Sequence, residues 1–237
     1  VVKEFGLLDF PFLFSNAKQA DSMVDGPLGK MLNARLNDKG IVVLGYFDLG
    51  FRNVTNSKRP ITKGEDLEGL KLRVIPNPVF VETFKTFKAN PVPMPFAELY
   101  GALENKAVDG QENPYAVILS NKFYEVNKYV SETNHVYATN PVQISKRFWE
   151  KLSPTEQKLL QDAATEAQNY QRVVSREVSS KAVAELKAKG MIFNEISAPE
   201  QARMRSEVKA VHDKFSAAYE PAVVKLFKNE LDRVSKL

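Results

Sequence analysis

The sequence predicts an α/β protein, because short apolar runs alternate with helical patterns through its first half. Ile41–Phe47 and Leu70–Ile75 are apolar runs typical of buried strands. The segment Pro78–Lys88 follows the second run and carries phenylalanines at 80, 84 and 87, the i, i+4, i+7 spacing of one helix face. A strand that leads at once into a helix is the repeating unit of an α/β sheet.

The remaining elements of the first half follow from caps and from pattern breaks. Asn77 and Pro78 supply the cap and first residue of the helix just described. The pattern then predicts, in order, a short helix over Phe96–Asn105, a small strand over Ala107–Asp109, a helix opened by Asn113 and Pro114 that ends near Asn121, and a strand over His135–Ser145 interrupted at Pro141.

The second half is dominated by one long helix over 153–189. Ser153, Pro154 and Glu156 form a capping box with proline at the first helical position, and Gly190 ends the run. Such a helix is about 54 Å long, more than the diameter of a small domain. It is therefore either a coiled-coil arm or a strut across two lobes. The mixed spacing and the many alanines favour packing against a protein body.

Composition excludes several classes of function. The 237 residues carry 33 Lys and Arg against 29 Asp and Glu, and this net charge of +4 without a dense basic run argues against nucleic-acid binding. There is no cysteine, and the two histidines, His135 and His212, cannot form a metal-binding pair, so no metal or other cofactor is expected. The apolar runs are too short for a membrane span, and no signal segment opens the chain.

No catalytic motif is present. Gly45 and Gly50 have the glycine spacing of a phosphate loop, but Phe51 and Arg52 follow where Lys and Ser or Thr are needed. Three acids, at 9, 48 and 109, stand in breaks of the pattern without an evident partner for acid–base chemistry. These absences do not exclude an enzyme, but no motif points to one, and a two-lobed α/β binding protein is the class that the residues favour.

Two strand ends offer polar groups at the edge where ligands bind in open α/β sheets. Arg73 precedes the end of one strand, and its guanidinium can hold a carboxylate through two parallel hydrogen bonds. Asn113 follows another strand and can bond the same carboxylate or a hydroxyl. Structural roles compete with each assignment: a strand arginine is commonly a surface residue, and Asn113 before a proline is most simply a helix cap. Competing structural assignments also exist for three other residues. Phe96 is most simply a core residue, Arg52 a residue of a surface loop, and His135 a structural histidine in a strand.

Five segments in order resemble the DctP family of solute-binding proteins of tripartite (TRAP) transporters, and the resemblance covers essentially the whole chain. The matching segments are Gly50–Asn56 with Arg59–Ile61 after it, Asp66–Val74, Pro93–Tyr100, Val108–Pro114, and Tyr124–Val126 leading to Thr133–His135.

The resemblance implies a periplasmic, non-enzymatic receptor with two α/β lobes of the type II binding-protein kind, spanned by the long helix. It divides the chain into a remainder of the first lobe (1–50), a second lobe (51–138) and a return to the first lobe (139–237). The first part of the N-terminal lobe is expected to be missing, since members begin with further elements before the equivalent of Phe5–Phe14. The expected state is a monomer that docks on a membrane permease.

The resemblance also assigns ligand contacts. Arg73 corresponds to the arginine that pairs with the ligand carboxylate, Asn113 to a ligand-binding asparagine, and Phe96 to an aromatic residue that packs on the ligand. Arg52 corresponds to a second polar contact. Gln111 and His135, which lie in matching segments, complete the predicted ligand-binding set.

The ligand itself stays open at this point. A C4-dicarboxylate, a uronate or other sugar acid, a 2-oxo acid and a short hydroxy acid all satisfy one arginine. Two rival functions also stay open: an α/β isomerase or lyase that acts on a carboxylic acid, and a receptor that serves a sensor kinase instead of a permease.

Overall fold

The computed structural model describes residues 2–237, which form one mixed six-stranded sheet with helices around it. The order of strands across the sheet is β3-β2-β4-β1-β5-β6. The strands are β1 (Ile41–Asn56), β2 (Lys71–Val74), β3 (Asn90–Pro93), β4 (Gly110–Pro114), β5 (Tyr129–Ser145) and β6 (Ile192–Asn194).

The helices include one of 35 residues that is much longer than the others. They are α1 (Ala17–Asp25), α2 (Pro27–Asn37), α3 (Pro78–Thr86), α4 (Leu99–Glu104), α5 (Tyr115–Ser120), α6 (Lys146–Trp149), α7 (Pro154–Ala188), α8 (Ala198–Glu207), α9 (Lys209–Ser216) and α10 (Pro221–Val234). Short 3-10 turns lie at Lys3–Asp9, Gly64–Leu67, Phe96–Glu98 and Phe123–Glu125. Within residues 2–237, no helix is both long enough and apolar enough to cross a membrane.

The predicted strand–helix unit is confirmed. β2 leads through α3 into β3, which pairs with it in parallel. The Asn77 side chain accepts a hydrogen bond from the Val79 amide, and Pro78 is the first helical residue, as expected. β4 pairs in parallel with the other side of β2. The carboxyl ends of β2, β3 and β4 therefore lie at one edge of the sheet, where ligands bind in α/β proteins.

The two antiparallel strands β1 and β5 are longer than the sequence predicts. β1 continues beyond Phe47 to Asn56, and β5 begins six residues before His135. Their pairing changes register at three irregularities, and one of these lies next to the Gly50↔Ala138 pair. Gly50 has a φ of +94°, a left-handed conformation that a glycine adopts without steric cost. The sequence underestimates the lengths of both strands because a glycine or proline inside a strand resembles the signal for a loop.

Three local assignments were wrong. Ala107–Asp109 is not a strand; the strand lies over Gly110–Pro114, and all five of its residues are buried. Asn113 is therefore a strand residue and not a helix cap, since α5 begins only at Tyr115. Arg52 likewise lies inside β1 and not in a surface loop. Pairing with strands on both sides overrides the local signals at these positions.

The long helix begins with the predicted capping box, in which the Ser153 side chain accepts from the Glu156 amide. Its apolar stripe is mostly exposed: Tyr170 is 72% accessible. The face that contacts the sheet is polar instead. Four polar side chains on this face form hydrogen bonds with the β1 backbone. Gln161 bonds Leu44, Gln168 bonds Tyr46, and both Gln171 and Ser175 bond Asp48. The irregular β1 backbone needs hydrogen-bond partners there, so polar side chains are selected on this face.

Two hydrophobic clusters fill the interior. The larger joins the N-terminal segment, β2, α3 and the C-terminal helices, with Leu7, Leu72, Phe84 and Phe227 among its buried members. The smaller lies under α4, α5 and the end of α7, around Phe123. The larger cluster joins residues that the predicted division places in both lobes, so the division itself stays a prediction.

Candidate ligand-binding site

An ion pair between Arg52 of β1 and Glu112 of β4 lies at the centre of the candidate site. Arg52 Nε donates to Glu112 Oε2 at 2.5 Å and Arg52 Nη2 donates to Oε1 at 2.9 Å, so the contact is bidentate. The Glu112 side chain has no exposed surface, and that of Arg52 is only 6% exposed. Nε2 of His135 lies 3.0 Å from Glu112 Oε2, and Nδ1 of the same ring lies 2.8 Å from the Thr133 hydroxyl. The charge of Arg52 is therefore already balanced inside the protein.

The surroundings of Glu112 keep it ionised. Burial alone would raise its pKa, but the charge of Arg52 and the hydrogen bonds from His135 and Arg52 outweigh burial, so the pKa lies below its ordinary value. The Glu112 carboxylate thus stays ionised at neutral pH.

A chain of hydrogen bonds orients Asn113 beside this pair. Arg52 Nη2 donates to Asn113 Oδ1 at 3.1 Å, and Asn113 Nδ2 donates to Gln111 Oε1 at 2.6 Å. Gln111 Nε2 then donates to the Thr55 hydroxyl at 2.8 Å, which donates to Asn127 Oδ1 at 2.7 Å. All five side chains are buried. The orientation of the Asn113 amide is fixed before any ligand arrives.

The second arginine of the site, Arg73, differs because no acid within residues 2–237 pairs with it. Its side chain is buried at 2% exposure, and Nε and Nη2 both donate to the carbonyl of Met94, at 2.9 and 2.7 Å. Within residues 2–237 it forms no salt bridge and Nη1 has no hydrogen bond. Burial lowers the pKa of Arg73, with the charge of Glu112 acting in the opposite direction. The Phe96 ring, 45% exposed, lies 5.8 Å from the guanidinium carbon.

A cavity of about 290 Å³ opens beside Arg52. Its wall contains aromatic side chains and uncharged polar groups, among them Phe80, Tyr137 and Asn140. Of the six residues predicted to bind ligand, only Arg52 lines this cavity. Gln111, Asn113 and His135 belong to the buried hydrogen-bond network around Arg52, and Arg73 and Phe96 lie near the neighbouring strand ends.

The cavity also contains Asp9, which the sequence presented as an isolated acid. Asp9 Oδ2 accepts a 2.7 Å hydrogen bond from Asn77 Nδ2. Burial raises the pKa of Asp9 from its ordinary value near 3.8 to about 6, although Arg52 and the bond from Asn77 lower it; Glu112 raises it further. Asp9 is therefore a carboxylate that titrates near neutrality inside the candidate site.

Asp9→Asn is expected to change how stability depends on pH. The folded protein holds the Asp9 proton up to about pH 6, whereas the unfolded chain releases it near pH 3.8, so Asp9 lowers the free energy of unfolding as pH rises between these values. The variant lacks this loss. Denaturant unfolding at intervals from pH 4 to 7 should show the variant gaining stability relative to the unaltered protein as pH rises.

Asp162→Asn is the matched control, because this exposed carboxylate on α7 lies outside the cavity. It should reproduce the pH trend of the unaltered protein. If Asp9→Asn also followed that trend, the raised pKa of Asp9 would be wrong.

Sequence reasoning missed the partners of all three isolated acids. Asp48 pairs with Arg176 at 2.8 Å, Asp109 accepts from the Lys71 amide, and Asp9 bonds Asn77. These partners lie 128, 38 and 68 positions away in sequence, so no local pattern reveals them. Sequence reasoning also missed Glu112. The one signal for it is a charged residue inside the otherwise uncharged strand Gly110–Pro114. Residues 2–237 contain no group of acids and histidines that could hold a metal ion.

Comparison with known proteins identifies the family. The model of the bacterial extracellular solute-binding proteins, family 7 (DctP), matches residues 1–218. The chain is 44% identical over 185 residues to the 2,3-diketo-L-gulonate-binding periplasmic protein YiaO of Escherichia coli. The aligned residues make up 78% of this chain and 56% of YiaO. It is 32% identical over 216 residues to the C4-dicarboxylate-binding periplasmic protein DctP of Rhodobacter capsulatus. This alignment covers 91% of this chain and 65% of that protein. The chain thus spans less than two thirds of the length of either relative.

A solved structure agrees. The sugar acid binding protein DctPAm of Advenella mimigardefordensis, in complex with galactonate, superposes with a TM-score of 0.93 at 40% identity, covering 98% of this chain and 75% of that one. These relatives are two-lobed periplasmic receptors and not enzymes, in agreement with the sequence prediction. The chain belongs to family 7 of the bacterial extracellular solute-binding proteins, the DctP family of TRAP transporters.

Proposed function

We propose that this protein captures a small organic acid, a C4-dicarboxylate or a sugar acid such as a uronate, and delivers it to a TRAP membrane permease. Arg73 binds the ligand carboxylate, and closure of the two lobes removes the bound acid from water. The relatives named above, which bind a diketogulonate, a C4-dicarboxylate and galactonate, support an acidic ligand.

The observation that carries this proposal is the unpaired charge of Arg73. A buried cation without a partner is costly, and a carboxylate from a ligand would balance it. Arg52 has no such need because Glu112 already compensates it. The bonds from Arg73 to the Met94 carbonyl fix the guanidinium in advance, and a fixed fork loses little entropy when it binds a carboxylate.

The neighbours of Arg73 suit the same ligand. Arg73 stands opposite Gln111 in the β2–β4 register, which places Asn113 at the adjacent strand end. Asn113 then supplies a second polar contact to the carboxylate. Phe96 presents an exposed ring beside the guanidinium and covers the carbon skeleton of the ligand. In this proposal Gln111 and His135 orient Asn113 and Arg52 from behind.

Closure is proposed to take place where β1 and β5 are irregular. The predicted lobe boundaries, after residues 50 and 138, meet at the Gly50↔Ala138 pair, beside which the register shifts. A few residues at such an irregularity absorb the rotation of one lobe against the other. We extend the proposal to an exported, periplasmic and monomeric receptor. Two of the relatives named above, YiaO and DctP, are periplasmic proteins, which supports the location.

A thermal-shift screen against C4-dicarboxylates, uronates, aldonates, 2-oxo acids and neutral sugars tests this function. A ligand at 1,000 times its Kd adds about 4 kcal/mol to the free energy of unfolding, which gives a clear rise in melting temperature. We expect a large rise with at least one class of acid and none with neutral sugars. A folded protein that no acid stabilises, or that neutral sugars stabilise equally, would overturn the proposal.

A further inference from the structure

Two buried polar atoms beside the proposed hinge lack hydrogen-bond partners. Asp48 is 2% exposed, and its Oδ2 pairs with Arg176 Nε at 2.8 Å, whereas Oδ1 has no partner within residues 2–237. Tyr137 is 6% exposed, and its hydroxyl likewise has no partner in that range. A buried polar group without a partner is costly, and most such groups in native proteins are paired. A conformation that pairs these two atoms with each other would therefore be favoured.

The two side chains lie on opposite sides of the predicted lobe boundary. In that division Asp48, two residues before Gly50 in β1, belongs to the first lobe, and Tyr137, just before Ala138 in β5, belongs to the second. The register of the two strands shifts between Asp48 and Gly50. Rotation of one lobe against the other at this irregularity would change the separation of Asp48 and Tyr137.

Both side chains line a cavity of about 180 Å³, here called the hinge cavity. Because the space around the pair is not filled by core side chains, the two groups can approach each other without displacing a packed interior. Tyr137 also lines the larger cavity beside Arg52, so its ring borders both spaces. Phe51 packs edge-on against this ring, with 4.8 Å between the ring centroids. A ligand in the larger cavity can therefore contact the same ring that borders the hinge cavity.

The chemistry of the pair suits a strong hydrogen bond. Burial, and after it the nearby Asp48 carboxylate, raise the pKa of Tyr137 above its ordinary value, so the hydroxyl keeps its proton and can donate. Arg176 bonds Asp48 at Oδ2 and leaves Oδ1 as an acceptor. A hydroxyl that donates to a carboxylate forms a charge-assisted bond, which is about twice as strong as a neutral one.

We propose that Tyr137 and Asp48 form a latch: the Tyr137 hydroxyl donates to Asp48 Oδ1 when the lobes close on a bound acid, and this bond stabilises the closed state. The inference rests on the proposed function, assigns the described arrangement to the open state, and identifies residues that set affinity away from Arg73. Closure gains this bond without breaking another, since neither atom has a partner before it. The apparent affinity for the acid rises with the stability of the closed state.

A purely structural role for the Tyr137 hydroxyl predicts a different result in Tyr137→Phe. If the hydroxyl supported the ligand-free fold, for instance through a water molecule that bridges it to Asp48, its removal would lower the free energy of unfolding without ligand. The latch predicts that this free energy is unchanged or higher, because the variant loses only an unpaired buried hydroxyl. The aromatic ring and its contact with Phe51 are retained.

Isothermal titration calorimetry with D-galactonate, D-glucuronate and succinate, together with denaturant unfolding of the ligand-free variants, tests the latch. Tyr137→Phe should weaken acid binding by about 10- to 100-fold, the effect of losing a hydrogen bond to a charged group. Asp48→Asn should weaken binding by itself but have no further effect in the Tyr137→Phe background, because both changes remove the same bond. Tyr170→Phe removes the hydroxyl of a tyrosine that is 72% exposed, and it should leave affinity and stability unchanged.

Three results would overturn the latch while the proposed function stands. They are full affinity in Tyr137→Phe, a lower stability of that variant without ligand, and additive losses of affinity in the double variant, which would indicate a direct contact between the hydroxyl and the ligand. If another acid of the thermal-shift screen binds in place of these three, the same titrations use that acid. If the unaltered protein binds no acid at all, the proposed function fails and the latch with it.

Discussion

Replacing Arg73 by alanine is expected to weaken organic-acid binding by about a hundredfold and to leave the protein folded. Of the two arginines at the site, Arg52 is neutralised by Glu112, whereas no acid within residues 2–237 neutralises Arg73. The variant therefore loses the one guanidinium of the site that is free to pair with a ligand carboxylate. Truncating one partner of a buried, hydrogen-bonded charge pair costs about 2–5 kcal/mol of binding free energy. Because the Met94 carbonyl is the single hydrogen-bond partner of Arg73 within residues 2–237, its loss leaves no acid of that range unpaired. Calorimetry with an acid found in the thermal-shift screen measures the effect.

Two further substitutions make this result specific. Arg73→Lys keeps the charge but lacks the planar fork, so it should bind more weakly than the unaltered protein and more tightly than Arg73→Ala. Arg205→Ala removes an exposed arginine on α8 and should leave affinity unchanged. Full affinity in Arg73→Ala, with circular dichroism showing a native fold, would mean that another group holds the carboxylate.

Glu112→Ala is expected to lower the free energy of unfolding by about 3–5 kcal/mol, because it leaves Arg52 as an uncompensated charge in the interior. Both side chains are buried, and His135 loses its bond to the same carboxylate. The depressed pKa of Glu112 gives the sign of the pH effect. Its contribution is present above the pKa of the unfolded chain and is lost as pH falls through the lower pKa of the folded state. Denaturant unfolding at neutral and acidic pH measures both effects.

A double variant distinguishes the cost of leaving Arg52 unpaired from the cost of losing the Arg52–Glu112 pair as a whole. Arg52→Met with Glu112→Leu removes both charges, and its stability should exceed that of Glu112→Ala, since an apolar replacement of a buried pair is often neutral. Asp162→Ala breaks the exposed pair with Lys158 on α7 and should cost less than about 1 kcal/mol. A loss of similar size for Glu112→Ala and Asp162→Ala would contradict the importance of the buried pair.

Much of the fold could be predicted from the sequence where the signals are local. The start of α3 depends on Asn77 and Pro78, and the start of α7 on Ser153 and Glu156 three residues later; both appear as expected. The ordered motifs indicated the family, and the family model confirms it. The position of Arg73 near the end of β2 also followed, whereas Asn113 lies inside β4 and not, as predicted, after a strand that ends at Asp109. The two side chains still come from neighbouring parallel strands.

The electrostatic character of the site depends on contacts that no local pattern contains. Arg52 and Glu112 are 60 residues apart, and Asp9 and Asn77 are 68 apart. Similarly, the apolar periodicity of α7 predicts a helix but not which face packs, since the β1 backbone requires polar partners. The sequence by itself determined the helix starts, the strand–helix alternation and the family. Only the tertiary structure decided which arginine is neutralised, which is free, and which carboxylate faces the cavity, because burial and pairing of charges depend on distance in space.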